Sequence, residues 1–248
     1  MSKKGLGLVS VSFRGHSPAE ILEAMKDTGL TCIEWGSDIH APKDDIKRLE
    51  ELCALQKEYG VECCSYGTYF RLGETPLGEL HDYINAARLL GTDILRLWCG
   101  NKNSEEYGDG EKRALFDECK AAARIAEEEG VTLCMECHNG TYTNRKEAAL
   151  ELMETVASNA FRMYWQPNQF RSVDENIRYA KLLSSYIVNL HVFNWEGKNK
   201  YPLAEAVDTW KEYLKNTGTK TMLLEFMPDG KIGSLKREAA ALRKIAEE

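Results

Sequence analysis

The chain contains no apolar run approaching the roughly 18 residues that a membrane-spanning helix requires. Its opening stretch, MSKKGLGLVSVSF, passes from two lysines into a short β-branched segment without a cleavage-like site. The expectation is a cytoplasmic protein with no membrane partner. An excess of positive charge is missing too: 32 Lys and Arg against 39 Asp and Glu give a formal net charge of −7. That balance opposes nonspecific attraction to nucleic acid or to an anionic membrane and favours small-molecule chemistry. There is no composition shift or linker, and no glycine-rich phosphate turn of the kind that opens a doubly wound nucleotide-binding sheet. With 248 residues, 43% of them hydrophobic, the whole of 1–248 reads as one domain able to bury a core without staples.

Cysteine is not scarce, since the chain has eight. They sit in hydrophobic strand or helix contexts, as at Cys32, Cys53, Cys99, Cys119 and Cys134, in a long chain without an export signal, so reduced thiols are expected rather than a disulfide framework. Cys134 and Cys137 form a CxxC, but Glu136 and His138 interleave with them along a strand. Alternation then aims the two thiols at opposite faces, which argues against a chelating or redox pair.

What is present in abundance is one repeated unit. Leu6 to Phe13 reads as a strand, and Ser17-Pro18-Ala19-Glu20 supplies an N-cap, a first-turn proline and a capping-box glutamate for a helix reaching about Asp27. The same punctuation returns as strand Thr31 to Trp35 with helix Asp44 to Tyr59, strand Val61 to Tyr66 with helix Leu77 to Leu90, and strand Asp93 to Trp98 with helix Glu111 to Glu129. It continues with strand Val131 to Glu136 and helix Arg145 to Ala157, strand Phe161 to Gln166 and helix Val173 to Leu183, and strand Ile187 to Val192 and helix Ala204 to Leu214. Strand Thr221 to Phe226 and helix Leu235 to Glu247 complete the series. Eight strand–helix units in about 250 residues predict a single α/β domain, a closed (β/α)8 barrel. The irregular stretches Gly36 to Lys43, Gly67 to Pro76, Gly100 to Gly110, Cys137 to Asn144 and Asn194 to Leu203 all follow strands, so a barrel would gather them on its catalytic face.

Four of these strands close on a residue able to bind a metal: Glu136, Gln166, His191 and Glu225. A carboxylate at the end of a buried strand is costly unless a cation or hydrogen bonds compensate it. An inward arginine such as Arg96 would account for either glutamate alone, and a lone strand histidine is most often a satisfied core residue. Two glutamates, a histidine and an amide at neighbouring strand tips point instead to a shared ion. Gln166 is the weakest donor of the set, because an amide oxygen is neutral and serves equally well to hydrogen-bond a substrate.

Glu136 in CMECHNG, the WQPN turn, His191 in HVFNW followed by Tyr201-Pro202-Leu203-Ala204-Glu205, and Glu225 in LLEF together resemble the xylose isomerase-like barrel superfamily of sugar isomerases, 3-epimerases and endonuclease IV relatives. IEWGSDIHAP, SYGTYF and LRLWCG are similar to a branch labelled sugar phosphate isomerase or epimerase. The resemblance covers nearly the whole chain. It implies one divalent metal ion (Mn, Mg, Zn or Co) held by Glu136, Gln166, His191 and Glu225, with Gln166 standing where the family places an aspartate. It further implies a sugar or sugar-like polyol as substrate. In related ketose epimerases the metal grips two adjacent substrate oxygens while one glutamate removes a proton and the other returns one, roles that fall here to Glu136 and Glu225.

Around that centre His40, Tyr66, Arg96, Trp98, His138, Asn168 and Trp195 lie at or beyond predicted strand ends and are candidate substrate-binding residues. Trp35 belongs to the same group. Arg96 also suits a structural pair with Glu34, and Lys198 and Lys200 suit a solvated surface as well as a phosphate. A phosphodiesterase of the endonuclease IV kind is an alternative on the same fold, but such enzymes use three zinc ions and many histidines, and this chain has only five. A barrel that binds a sugar without turnover is a further alternative, motivated by Gln166. Association into a homo-oligomer through helix faces is left open.

Overall fold

The computed structural model describes residues 5–218 and 220–247; the N-terminal lysines Lys3 and Lys4 lie outside this range. Eight parallel strands close into a barrel: β1 (Leu6–Val9), β2 (Cys32–Gly36), β3 (Glu62–Leu72), β4 (Ile94–Cys99), β5 (Thr132–Glu136), β6 (Phe161–Trp165), β7 (Ile187–Val192) and, after a short hairpin, β10 (Thr221–Leu224). The hairpin consists of β8 (Trp195–Glu196) and β9 (Asn199–Lys200). β1 pairs with both β2 and β10, which closes the ring.

Each barrel strand is followed by a helix: α1 (Pro18–Met25), α2 (Ile46–Tyr59), α3 (Leu80–Leu90), α4 (Asp109–Glu129), α5 (Lys146–Val156), α6 (Val173–Leu183), α7 (Val207–Thr217) and α8 (Leu235–Ala246). Local chemistry sets these boundaries. Ser17 and Ser172 each form a reciprocal capping box, with Glu20 and Glu175, at the starts of α1 and α6, a device worth about 0.5–2 kcal/mol. Gly60, Gly91 and Gly130 end α2, α3 and α4 in the left-handed conformation that glycine adopts without steric cost. No helix among the described residues is long and apolar enough to cross a membrane.

Several expected boundaries shift by one to three residues, the helix expected at Ala204 to Leu214 lying at Val207–Thr217 and the one expected from Leu77 starting at Leu80 after a 3-10 turn. Three further differences have a cause in the structure. β1 stops at Val9 and a 3-10 turn covers Ser10–Phe13, because Ser10 Oγ accepts from Gly36 N at 2.9 Å and contacts His40 Nδ1 at 3.1 Å, drawing the chain out of the sheet. β3 runs on to Leu72 through an irregularity between Gly67 and Arg71, over part of the stretch expected to be loop. There the Thr68 hydroxyl donates to Arg96 O at 2.7 Å and so stands in for a ladder bond. β10 ends at Leu224 because Phe226 adopts a left-handed conformation, φ 55°, which costs a non-glycine residue roughly 1–3 kcal/mol.

The main core lies between sheet and helices, around Trp35, Trp165, Trp210, Tyr66 and Phe70. A second, smaller cluster fills the barrel itself with Val9, Cys32, Cys134, Tyr164 and Leu223. All eight cysteines are free. Cys134 belongs to the interior cluster and Cys137 packs against the outer core, so the CxxC is split between faces as alternation requires.

Candidate active site

Side chains two apart on a strand share a face, and the barrel uses this to change chemistry along its axis. On five strands a neutral interior residue is followed two positions later by a polar or ionisable one: Cys32 then Glu34, Cys134 then Glu136, Tyr164 then Gln166, Asn189 then His191, and Leu223 then Glu225. The neutral layer is satisfied internally, with the Tyr164 hydroxyl 3.0 Å from Ser65 Oγ and 3.1 Å from Asn189 Nδ2. The ionisable layer sits above it, toward the strand C-termini, where barrel enzymes build their sites.

Arg96 on β4 is buried at the centre of this upper layer. Its Nε donates to Glu34 Oε1 at 2.9 Å and its Nη1 to Glu136 Oε2 at 2.7 Å. Trp98 Nε1 donates to the same Glu136 oxygen at 2.5 Å, and Ser65 Oγ donates to Glu34 Oε2 at 2.7 Å. Glu136 Oε1 is thereby left facing His191, whose Nδ1 lies 3.5 Å from it, 3.0 Å from Gln166 Oε1 and 3.6 Å from Glu225 Oε2. Glu225 accepts no hydrogen bond from the described residues. Its placement follows from the strained turn at Phe226, whose N–H is held by Ser12 Oγ at 2.8 Å.

The four donors expected from the strand tips therefore converge, and they fit a divalent ion on two counts. Ligands about 2.0–2.2 Å from one ion stand about 2.8–3.6 Å apart at tetrahedral or octahedral angles, the spacing found around His191 Nδ1. Among the described residues, Glu136, His191 and Glu225 form the one group of three or more ionisable side chains with metal-ligand spacing. The second count is charge: three buried carboxylates, Glu34, Glu136 and Glu225, surround one guanidinium, leaving two negative charges for a dication to balance.

Without an ion the cluster's own protons respond. Burial disfavours the His191 imidazolium, but Glu225 and Glu34 outweigh it and raise the group to about 10. Burial would raise Glu34, yet Arg96 and His191 pull it down to about 2. Burial acts the same way on Glu136, and Arg96 overrides it to hold that carboxyl far below the usual range. Glu225 goes the other way, held up by burial and the nearby Glu136 against the pull of His191. Without an ion, the two glutamates of this site are thus pushed in opposite directions.

A cavity of about 290 Å³ opens onto this cluster. Glu136, Gln166 and Glu225 form its floor, Phe193, Trp195 and Phe226 an aromatic wall, and Asn139, Asn168 and Gln169, with His138, a polar wall. The rings of Phe193, Trp195 and Phe226 follow one another at 4.6 and 5.4 Å. The hairpin carrying Trp195 is tied down by Gly197 N donating to Gln169 O at 2.8 Å. Lys200 Nζ lies 4.7 Å over both Trp195 and Phe226, and Lys198 is exposed.

Of the expected binding residues, His138, Asn168 and Trp195 line the cavity. Arg96 and Trp98 hold Glu136 from behind. His40 and Tyr66 stand apart from it. Both His40 ring nitrogens are occupied, at 3.1 Å from Ser10 Oγ and from His16 O, and Tyr66 is fully buried with its hydroxyl donating to Ala41 O at 2.6 Å. Trp35 likewise packs in the outer core, its Nε1 donating to Gln56 Oε1 at 2.8 Å. Sequence reasoning placed Glu34 only as a partner of Arg96. The signal for more was present, since Glu34 interrupts the apolar run CIEWG as Glu136 interrupts its own strand.

The chain belongs to the xylose isomerase-like TIM barrel family, whose model matches residues 22–215. A comparison with curated proteins found no match. Among solved structures, the chain is similar to the probable 3-DHS dehydratase AsbF from Bacillus anthracis, with 14% identity, a TM-score of 0.79 and 99% of each chain covered. D-psicose 3-epimerase from Clostridium cellulolyticum H10 shares 16% identity at a TM-score of 0.69, with 98% of each chain covered. The IolI protein with a bound zinc atom shares 15% identity at a TM-score of 0.71, over 98% of this chain and 96% of that one. At these identities the likeness is one of fold.

Proposed function

We propose that the protein is a metal-dependent isomerase or epimerase of a sugar or sugar-like polyol, working by carboxylate-mediated proton transfer beside a polarised carbonyl. The observation that carries this is the convergence of Gln166, Glu136 and Glu225 oxygens on His191 Nδ1 at 3.0–3.6 Å, at the floor of a cavity sized for one small polar molecule. A divalent ion bound there supplies Lewis-acid polarisation of a substrate carbonyl, lowering the pKa of the adjacent C–H.

The chain's own residues do the rest. Glu225, free of hydrogen bonds from the described residues, takes up or delivers a proton at its carboxyl oxygen. Glu136, fixed by Arg96 and Trp98, presents Oε1 as the second proton-transfer group. The carboxamides of Asn139, Asn168 and Gln169 both donate to and accept from hydroxyls, and the aromatic wall offers an apolar partner to sugar C–H faces while excluding water. A trinuclear phosphodiesterase is disfavoured by the single ligand cluster among the described residues, with His81 out on α3, 3.4 Å from Glu129.

The test is to incubate manganese-loaded protein with ketoses, aldoses and inositol-like ketones in D2O and to read carbon-bound deuterium by mass spectrometry. Deuterium should enter one substrate class with the parent protein and should not enter with Glu136→Gln or Glu225→Gln variants shown to retain metal. Exchange at the parent rate in both variants sinks the mechanism. Unchanged metal-free ligand binding, with no exchange in any protein, supports a sugar-binding barrel instead.

A further inference from the structure

Glu34 does not line the cavity, yet it is fully buried beside the ligand cluster. Its Oε2 accepts from Ser65 Oγ at 2.7 Å and its Oε1 from Arg96 Nε at 2.9 Å. The same Oε1 lies 3.5 Å from His191 Nε2. Among the described residues, that Nε2 is the one fully buried side-chain nitrogen or oxygen left without a hydrogen bond. A buried N–H without an acceptor costs about 1–3 kcal/mol, and the acceptor standing in front of this one is Glu34. The space for it is kept by a missing side chain: a Cβ at Gly67 would fall 2.6 Å from Glu34 Oε1 and 2.9 Å from Arg96 Nη2.

We propose that Glu34 is a positioning residue that accepts the Nε2–H of His191 and thereby fixes the imidazole as the tautomer whose Nδ1 lone pair faces Gln166, Glu136 and Glu225. This rests on the reading of that cluster as a metal centre. Through Arg96 the same carboxylate also steadies Glu136, since the guanidinium holds Glu34 with Nε and Glu136 Oε2 with Nη1. One enclosed carboxylate thus orients two of the four donors, and the site reaches from β2 across the barrel to β7. A residue serving only to neutralise Arg96 would affect stability and leave the histidine's tautomer alone.

The experiment compares the zinc-loaded, 15N-labelled full chain with its Glu34→Gln variant, which keeps the shape and gives up the charge. In the parent, His191 is expected to carry a slowly exchanging proton on Nε2 with zinc on Nδ1. In Glu34→Gln that proton should exchange faster, and competition titration should show zinc held about 10–100-fold more weakly. Zinc on Nε2, a parent Nε2 proton no slower to exchange than the variant's, or zinc affinity within twofold of the parent each overturns the proposal. Ser65→Ala, which removes the contacts to Glu34 Oε2 and to the Tyr164 hydroxyl but keeps the Glu34 carboxylate, provides a milder variant with the same readout if Glu34→Gln does not fold. If the parent takes up no zinc, the metal reading fails by itself. The slow Nε2 proton, read in that same metal-free sample, then decides whether Glu34 holds His191: its presence keeps the contact and its absence removes it.

Discussion

Replacing Arg96 with methionine removes the cation that the buried cluster is built around. The guanidinium serves two carboxylates at 2.9 and 2.7 Å, in a pocket where all three side chains are at most 5% exposed. Breaking one buried pair by deleting a partner costs about 3–5 kcal/mol, because the remaining charge stays uncompensated. Here two carboxylates lose their guanidinium at once, and the His191 imidazolium 3.5 Å from each, with the bonds from Ser65 to Glu34 and from Trp98 to Glu136, offsets only part of that. A loss near or above 5 kcal/mol is expected, against a total stability of about 5–15 kcal/mol for a domain of ordinary size. The assay is urea denaturation at neutral pH in chelator, repeated with manganese. Bound metal stabilises the native state by about 2.7 kcal/mol at one hundred times its dissociation constant, so manganese should raise the midpoint of Arg96→Met. Arg96→Lys keeps the charge but not the two-armed geometry, and belongs between the two. A loss for Arg96→Met within about 1 kcal/mol of the parent in chelator would refute the reasoning.

Gly67→Ala forces a methyl within 2.6 Å of Glu34 Oε1 and should cost about 1–3 kcal/mol of stability in the same assay, as overpacking does; a neutral result would mean the ion pair has room to move. Gln166→Asp adds a negative charge 3.0 Å from His191 Nδ1 and should tighten manganese binding by tenfold or more in calorimetry, whereas an unchanged affinity places Gln166 outside the ligand set. His138→Ala, which alters the polar wall of the cavity, should raise KM while deuterium exchange persists, and complete loss of exchange at saturating substrate would make His138 part of the proton-transfer machinery. Finally, Glu34 is held at about 2 against an ordinary 4.5, so its stabilisation is full above about pH 4.5 and is lost as pH falls toward 2. His191 is raised from 6.5 to about 10, so in chelator its contribution is full below about pH 6.5 and is lost as pH rises toward 10; denaturation midpoints that stay flat across both windows would contradict these shifts.

Periodicity made the eight units legible because each strand and helix carries its pattern and its end signals within its own stretch of chain. α6 and β7 occur at the expected Val173–Leu183 and Ile187–Val192. At two strands a long-range contact moved the boundary. β3 outran its pattern because Thr68 bonds to Arg96 O on the next strand, and β1 was cut short by Ser10 reaching Gly36 and His40. The hairpin over the cavity gave no sequence signal, since its two strands are only two residues each.

The sequence by itself determined the repeat, and with it the closed barrel and the gathering of Glu136, Gln166, His191 and Glu225 at one mouth, because strand alternation and a fixed chain direction leave few other places for them. Which side chains around that mouth face the cavity was decided only by the tertiary structure. His40 follows Glu34 closely in sequence and Tyr66 lies on the next strand, paired with Trp35, yet both turn away into hydrogen bonds with His16 and Ala41, while Glu34 turns inward to Arg96, Ser65 and the orphaned nitrogen of His191. The physical reason is that a strand's pattern fixes only which residues share a face. The worth of a polar group on the inner face depends on partners contributed by strands 30 to 160 residues away in the chain, which come into reach only when the barrel closes.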